Sequence, residues 1–180
     1  MANLITSAQN EAHITPLQDS LWHRSLIGNE SCVFSNAEKL ALQVMSNTKI
    51  RIKSGVGMVQ GRFFCIDPGT YDEVTIANGA QGVKRIDLIC AKITANENGT
   101  QSFSWEVIQG TSTADTPEVP DYTEGDLDSG DEVGRMAFAT VTLNGIAITE
   151  VDIVADVMID DCSMTEAEYD ELAALLGITE

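Results

Sequence analysis

The stretch from Ser54 to Ile93, SGVGMVQGRFFCIDPGTYDEVTIANGAQGVKRIDLICAKI, repeatedly interrupts its apolar runs with glycine. Pro68-Gly69 and Asn78-Gly79 fall between short runs of β-prone residues, a pattern that predicts a string of hairpins. Gly55-Val-Gly57-Met-Val-Gln-Gly61 has one residue too many before its third glycine for a dinucleotide loop, and it leads into strand-like sequence. These glycines are expected at bulges and tight turns.

The flanking sequence extends the same pattern. Lys49-Ile50-Arg51-Ile52-Lys53 alternates strictly, which places Ile50 and Ile52 on a buried face and the cations in water. Phe103, Trp105 and Val107 alternate in the same way with Ser102, Ser104 and Glu106, which favours core over an exposed aromatic platform. Ile86, Leu88, Ile89 and Ala91 are apolar on both faces, as in a central strand. Asn-Gly pairs at 78, 98 and 144 mark turns. The clearest joins Phe138–Leu143 to Ile146–Val151 through a two-residue turn with positive φ at both central positions. The fold class expected is mainly β, an antiparallel β-sandwich or small barrel.

Three regions depart from the strand pattern. Residues 1–30 read as an N-terminal arm or a short helix starting after Pro16, with Leu17, Leu21 and Trp22 on one face. Within the β domain, residues 31–160, the segment 110–134 is a long acidic loop without Lys or Arg; loops of this length are functional, partner-bound or disordered. Residues 161–180 predict an acidic amphipathic helix. Thr165 caps it, Glu168 completes a capping box, Met164 and Tyr169 form a staple, and Gly177 ends it. Tyr169, Leu172, Leu175 and Leu176 give it an apolar side that needs a surface to pack on.

The chain of 180 residues carries 10 Lys and Arg against 28 Asp and Glu, a net charge of −18. Such a balance argues against nucleic acid, whose binding requires cations to neutralise phosphates. No apolar run approaches the ~20 residues of a membrane span, so no membrane insertion is expected. The N-terminus lacks a basic start and an apolar signal core, and synthesis in the cytoplasm follows as the expectation. Cys32, Cys65, Cys90 and Cys162 show no CxxC pairing and no histidine at ligand spacing, so neither zinc nor redox chemistry is expected. Cys65 and Cys90 are expected as small buried hydrophobes.

Searched for chemistry, the chain yields no cofactor motif and no catalytic constellation, and the expectation is that it is not an enzyme. Asp126, Asp128, Asp131 and Glu132 supply hard oxygens that suit calcium, but the EF-hand register fails: Gly130 stands at the third ligand position, Asp131 at the required glycine and Ala137 at the final glutamate. A solvated charge run is the stronger reading. His13 and His23 sit in no serine, cysteine or metal motif. Paired carboxylates of the glycosidase type need only spatial proximity, which keeps a cell-wall glycoside hydrolase as an unfavoured alternative. Arg85 and Asp87, two residues apart, share one strand face and read as a structural ion pair. Arg62 stands beside an apolar strand in the same manner.

Several motifs recur together in a known family. The run from Gly57-Met58 through Gly61-Arg62, Gly69-Thr70-Tyr71, Val74-Thr75-Ile76, Asn78-Gly79 and Arg85-Ile86-Asp87-Leu88-Ile89 resembles small tail and baseplate proteins of tailed phages and prophages of Gram-positive bacteria. Val107-Ile108-Gln109-Gly110-Thr111, the proline-containing loop with Pro117 and Pro120, and Arg135 to Val141 are similar to the segments that follow. The likeness runs from about Asn47 to Val157. It implies a virion structural protein without catalytic residues or cofactor, assembled into the tail after synthesis in the host cytoplasm. Family members often continue into longer fibre regions, whereas here the expected acidic helix follows the β domain.

The function expected is a self-associating tail or baseplate component. A homo-oligomer, trimer or hexamer, follows from the cyclic symmetry of such assemblies. Trp22, Tyr122, Tyr169, Leu172 and Leu176 are the candidate contact residues toward other copies and other tail proteins. The alternative is a module that binds host-surface carbohydrate through exposed aromatics such as Trp22, Trp105 or Tyr122.

Overall fold

The structure, a computed structural model, describes residues 14–28, 31–96 and 100–158. The described chain is mainly β: one helix, α1 (Pro16–Ile27), precedes nine strands in two sheets. The first sheet holds β1 (Cys32–Phe34), β2 (Leu42–Ser46), β3 (Lys49–Val59), β4 (Arg62–Thr75) and β9 (Val157–Met158). The second runs β6-β5-β7-β8, from β5 (Lys84–Ala95), β6 (Gln101–Ile108), β7 (Val133–Asn144) and β8 (Ala147–Ile153). All pairings are antiparallel except the two-residue contact of β1 with β9, which is parallel.

Side-chain alternation directs both sheets at one core. Ile50, Ile52, Val59, Phe64 and Val74 from the first sheet meet Ile89, Ala91, Phe138, Val141 and Leu143 from the second in a single apolar cluster. Lys49, Arg51 and Lys53 point the other way and are held by Glu73 and Glu38. Strand β5 is central, with Leu88 to Ala91 all buried. Phe103 and Trp105 pack inward on Phe64 and Phe138, and the Trp105 indole N–H donates to Asp72 at 2.8 Å.

The turns differ from expectation in instructive ways. Asn78-Gly79 makes no hairpin: the segment lies so close to the β7–β8 turn that a Cβ on Gly79 would sit 2.0 Å from the Gly145 carbonyl oxygen. Asn144 pairs with Ala147, so the β7–β8 turn is Gly145-Ile146, with positive φ (62°) at its first central residue alone. The register shift between Thr142 and Leu143 moves the turn one residue along. The turn needing positive φ at both positions is instead Gln60-Gly61, at 47° and 78°, joining β3 to β4. Pro68-Gly69 sits inside β4, in a bulge of Asp67 to Thr70 opposite Ser54. Asn98-Gly99, His13, Cys162 and the helix expected over 161–180 lie outside the described residues.

Cys65, expected in the core, is exposed, because it faces outward between the inward-facing Phe64 and Ile66. Cys32 and Cys90 are buried, and burial pushes each thiol up to about 11. In a Cys162→Ser background, Cys65 is therefore expected to react with a thiol reagent at about pH 8 while Cys32 and Cys90 react only on unfolding. Equal labelling of the three native thiols would contradict the burial of β1 and β5.

Candidate functional site

Helix α1 is well specified by its ends. Thr15 is the N-cap and forms a capping box with Gln18, Pro16 occupies the first turn, and Gly28 closes the helix at φ 75°. What distinguishes it is the side by which it docks. Ser20 is buried, and its backbone lies against the Gln60-Gly61 turn so closely that a Cβ on Gly61 would stand 2.3 Å from the Ser20 carbonyl oxygen. His23 donates from Nδ1 to the Gly61 carbonyl at 2.8 Å, with its ring edge-on to Phe63. Arg24 pairs with Asp128, and the same carboxylate receives Arg62 at 2.9 Å.

The helix thus turns polar groups toward its own domain and apolar groups toward solvent. Leu17, Leu21, Trp22 and Leu26 are all exposed, Trp22 at 59% and Leu26 at 69%. Ser25 lies between them and is also exposed, and no charged side chain interrupts the stripe; Asp19 stands at its flank beside His23. Of the candidate contact residues, Trp22 therefore lies on an uncharged, largely apolar surface. Tyr122 is 37% exposed in a groove beside Glu106 and Arg135, remote in sequence from α1. Tyr169, Leu172 and Leu176 lie outside the described residues.

The acidic loop keeps Asp126, Asp131 and Glu132 exposed, as in a solvated charge run, but it is also anchored to the domain. Leu127 inserts into the core, and Gln60 ties the loop down by donating to the Gly125 carbonyl and accepting from the Leu127 amide. The Asp126 carboxylate accepts the Ser129 hydroxyl and the Asp128 and Ser129 amides, which hold it below the usual carboxylate range. Asp131 accepts the Asp126 amide, Asp128 is taken by the two arginines, and Glu132 is exposed. The oxygens of Asp126, Asp128 and Asp131 are engaged separately, and among the described residues no group of three or more His, Cys, Asp or Glu side chains is placed to hold a metal ion.

Arg85 and Asp87 form a bidentate pair, Nε to Oδ1 at 2.7 Å and Nη2 to Oδ2 at 2.9 Å, with side chains 5% and 0% exposed. The guanidinium also donates to the Ala77 and Asn78 carbonyls, and Asp87 accepts the Gly110 amide. The pair therefore pins the segment after β4 and the start of the acidic loop to β5. Trp105 is half-buried and packs its ring against Phe64, Phe103 and Phe138.

Sequence reading passed over two features of the site. The Gln60-Gly61 turn was legible as a two-residue break between Met58-Val59 and Arg62-Phe63. The convergence of Arg24 and Arg62 on Asp128 was not, because it joins residues 104 and 66 positions apart. No protein-family model and no curated protein matches this chain.

Proposed function

We propose that this protein is a non-enzymatic structural component of a phage or prophage tail or baseplate, a β-sandwich that self-associates and docks to other virion proteins. The observation that carries the reading is the outer face of α1. Single exposed leucines are ordinary on a protein surface, whereas four large apolar side chains on a helix anchored by its polar side mark a contact surface. The face is uncharged, so chains of net charge −18 can bury it against one another without bringing carboxylates into contact. The tail assignment draws its support from the resemblance, whose motifs supply the β3–β4 hairpin, β5 and β7. On this reading the chain is made in the host cytoplasm and incorporated into the virion tail.

Light scattering on the chromatographed full chain tests the proposal. A discrete trimer or hexamer is expected, falling to monomer in Trp22→Glu, which places a charge in the middle of the stripe. A wild-type monomer at micromolar concentration, or an oligomer indifferent to Trp22→Glu, would remove α1 as the assembly surface.

A further inference from the structure

We propose that the apolar stripe of α1 is occupied by the C-terminal segment of a neighbouring copy, residues 164–176, so that each chain gives a segment to the next and receives one from the last. The inference rests on the reading of α1 as the assembly surface and names what meets it. Symmetry supplies the first argument. Paired with its own image across a two-fold axis, the stripe would give a dimer and stop there. Away from the axis of a ring of three or more copies, neighbours meet head to tail, and one patch is buried against a different patch of the next chain. A trimer or hexamer built this way asks for a second surface that matches Leu17, Leu21, Trp22 and Leu26.

The C-terminal segment lies outside the described residues, and its sequence supplies such a surface. Tyr169, Leu172 and Leu176 recur at helical spacing with Leu175 beside them, while Asp170 and Glu171 fall on the opposite side. Residues 166–176 make about 16 Å of helix, close to the roughly 18 Å of α1. A helix this short is marginal alone, and pairing two apolar sides removes both from water. Charge narrows the choice of surface. Residues 159–180 contain many acids and no Lys or Arg, so their burial is least opposed on a face without carboxylates, and the stripe of α1 has none.

The last described strand also ends near α1. Met158 pairs with Phe34 on β1, the rings of Phe34 and Phe63 lie 5.5 Å apart, and those of Phe63 and His23 on α1 lie 4.5 Å apart. The segment thus starts at the end of the molecule that carries the stripe. From Met158 to Glu166 the chain can span up to about 28 Å, whereas packed helices stand roughly 8–10 Å apart. Two copies set side by side at this end bring the segment of one within reach of the stripe of the other. Ser20, His23 and Arg24 occupy the docked side of α1, so the stripe points away from its own domain and toward a neighbour.

Light scattering on three forms of the full chain tests the pairing: wild type, Trp22→Glu, and Leu172→Glu/Leu176→Glu. The wild type is expected as a discrete oligomer and each variant as a monomer. Mixed in equal amounts, the two variants are expected to form a 1:1 complex of twice the chain mass, because one keeps its segment and the other keeps its stripe. Trp22 emission from the segment variant should move to shorter wavelength on mixing, as the indole leaves water. Tyr169→Glu takes the place of the double variant should the latter aggregate. An oligomer that survives the segment substitutions and yields to Trp22→Glu would overturn the pairing while keeping α1 as the assembly surface. A monomeric wild type, or an oligomer indifferent to Trp22→Glu, would overturn the pairing together with the reading it rests on. Two monomeric variants that fail to combine would overturn the pairing as well.

Discussion

Asp87→Ala is expected to cost about 3–5 kcal/mol, the usual penalty when one member of a buried ion pair is removed and its partner stays behind. Asp87 is fully buried and accepts three hydrogen bonds, two from Arg85 and one from the Gly110 amide. Its loss leaves a guanidinium that is 5% exposed with only the carbonyls of residues 77 and 78 to receive it. Against a total stability of roughly 5–15 kcal/mol, that is a large fraction. Urea unfolding followed by circular dichroism reads the change directly. The double variant Arg85→Met/Asp87→Leu is expected to recover most of the loss, because apolar groups of similar volume often replace a buried pair at little cost. A single-variant loss below about 1 kcal/mol would mean that the pair is not the joint described here.

Phe138→Ala should cost a similar ~3–5 kcal/mol, through lost burial and the cavity left behind. The ring is fully buried on β7 and lies 4.8 Å from Trp105, which in turn meets Phe64 and Phe103. Because these rings join the two sheets, the cavity opens at their shared core and has few ways to collapse. In a Trp22→Phe background, Trp105 emission should shift to longer wavelength as unfolding moves to lower denaturant. A variant as stable as the parent, with unchanged emission, would contradict the packing of Trp105 against Phe138 across β5.

The fold was legible where period decided it. Alternation at Lys49–Lys53 and Phe103–Val107 gave the buried faces correctly, and the doubly apolar Leu88–Ala91 marked the central strand. Turn chemistry was less reliable, because Asn-Gly states that a chain can turn and not that it does. At Asn78-Gly79, tertiary packing against the β7–β8 turn claims the glycine for close approach instead. Cys65 was misplaced because its apolar neighbours suggested burial, whereas period two sends it outward between Phe64 and Ile66. In α1, Leu17, Leu21 and Trp22 were legible as one face, but not that the helix would present them to solvent. That orientation is set by Asp128 and by the Gly61 backbone, both distant in sequence.

The bulge at Asp67 to Thr70 bears on how any assembly of this chain ends. Among the described residues β4 is bonded only to β3, which leaves its other side an edge, and a strand edge invites another strand to continue the sheet. Pro68 brings no N–H to that edge, and Gly69, at φ 80°, turns the backbone out of line. A second chain attempting to lie along β4 would find a ladder broken in the middle. At this edge, then, the backbone itself resists the open-ended sheet growth that turns a folded domain into a fibre.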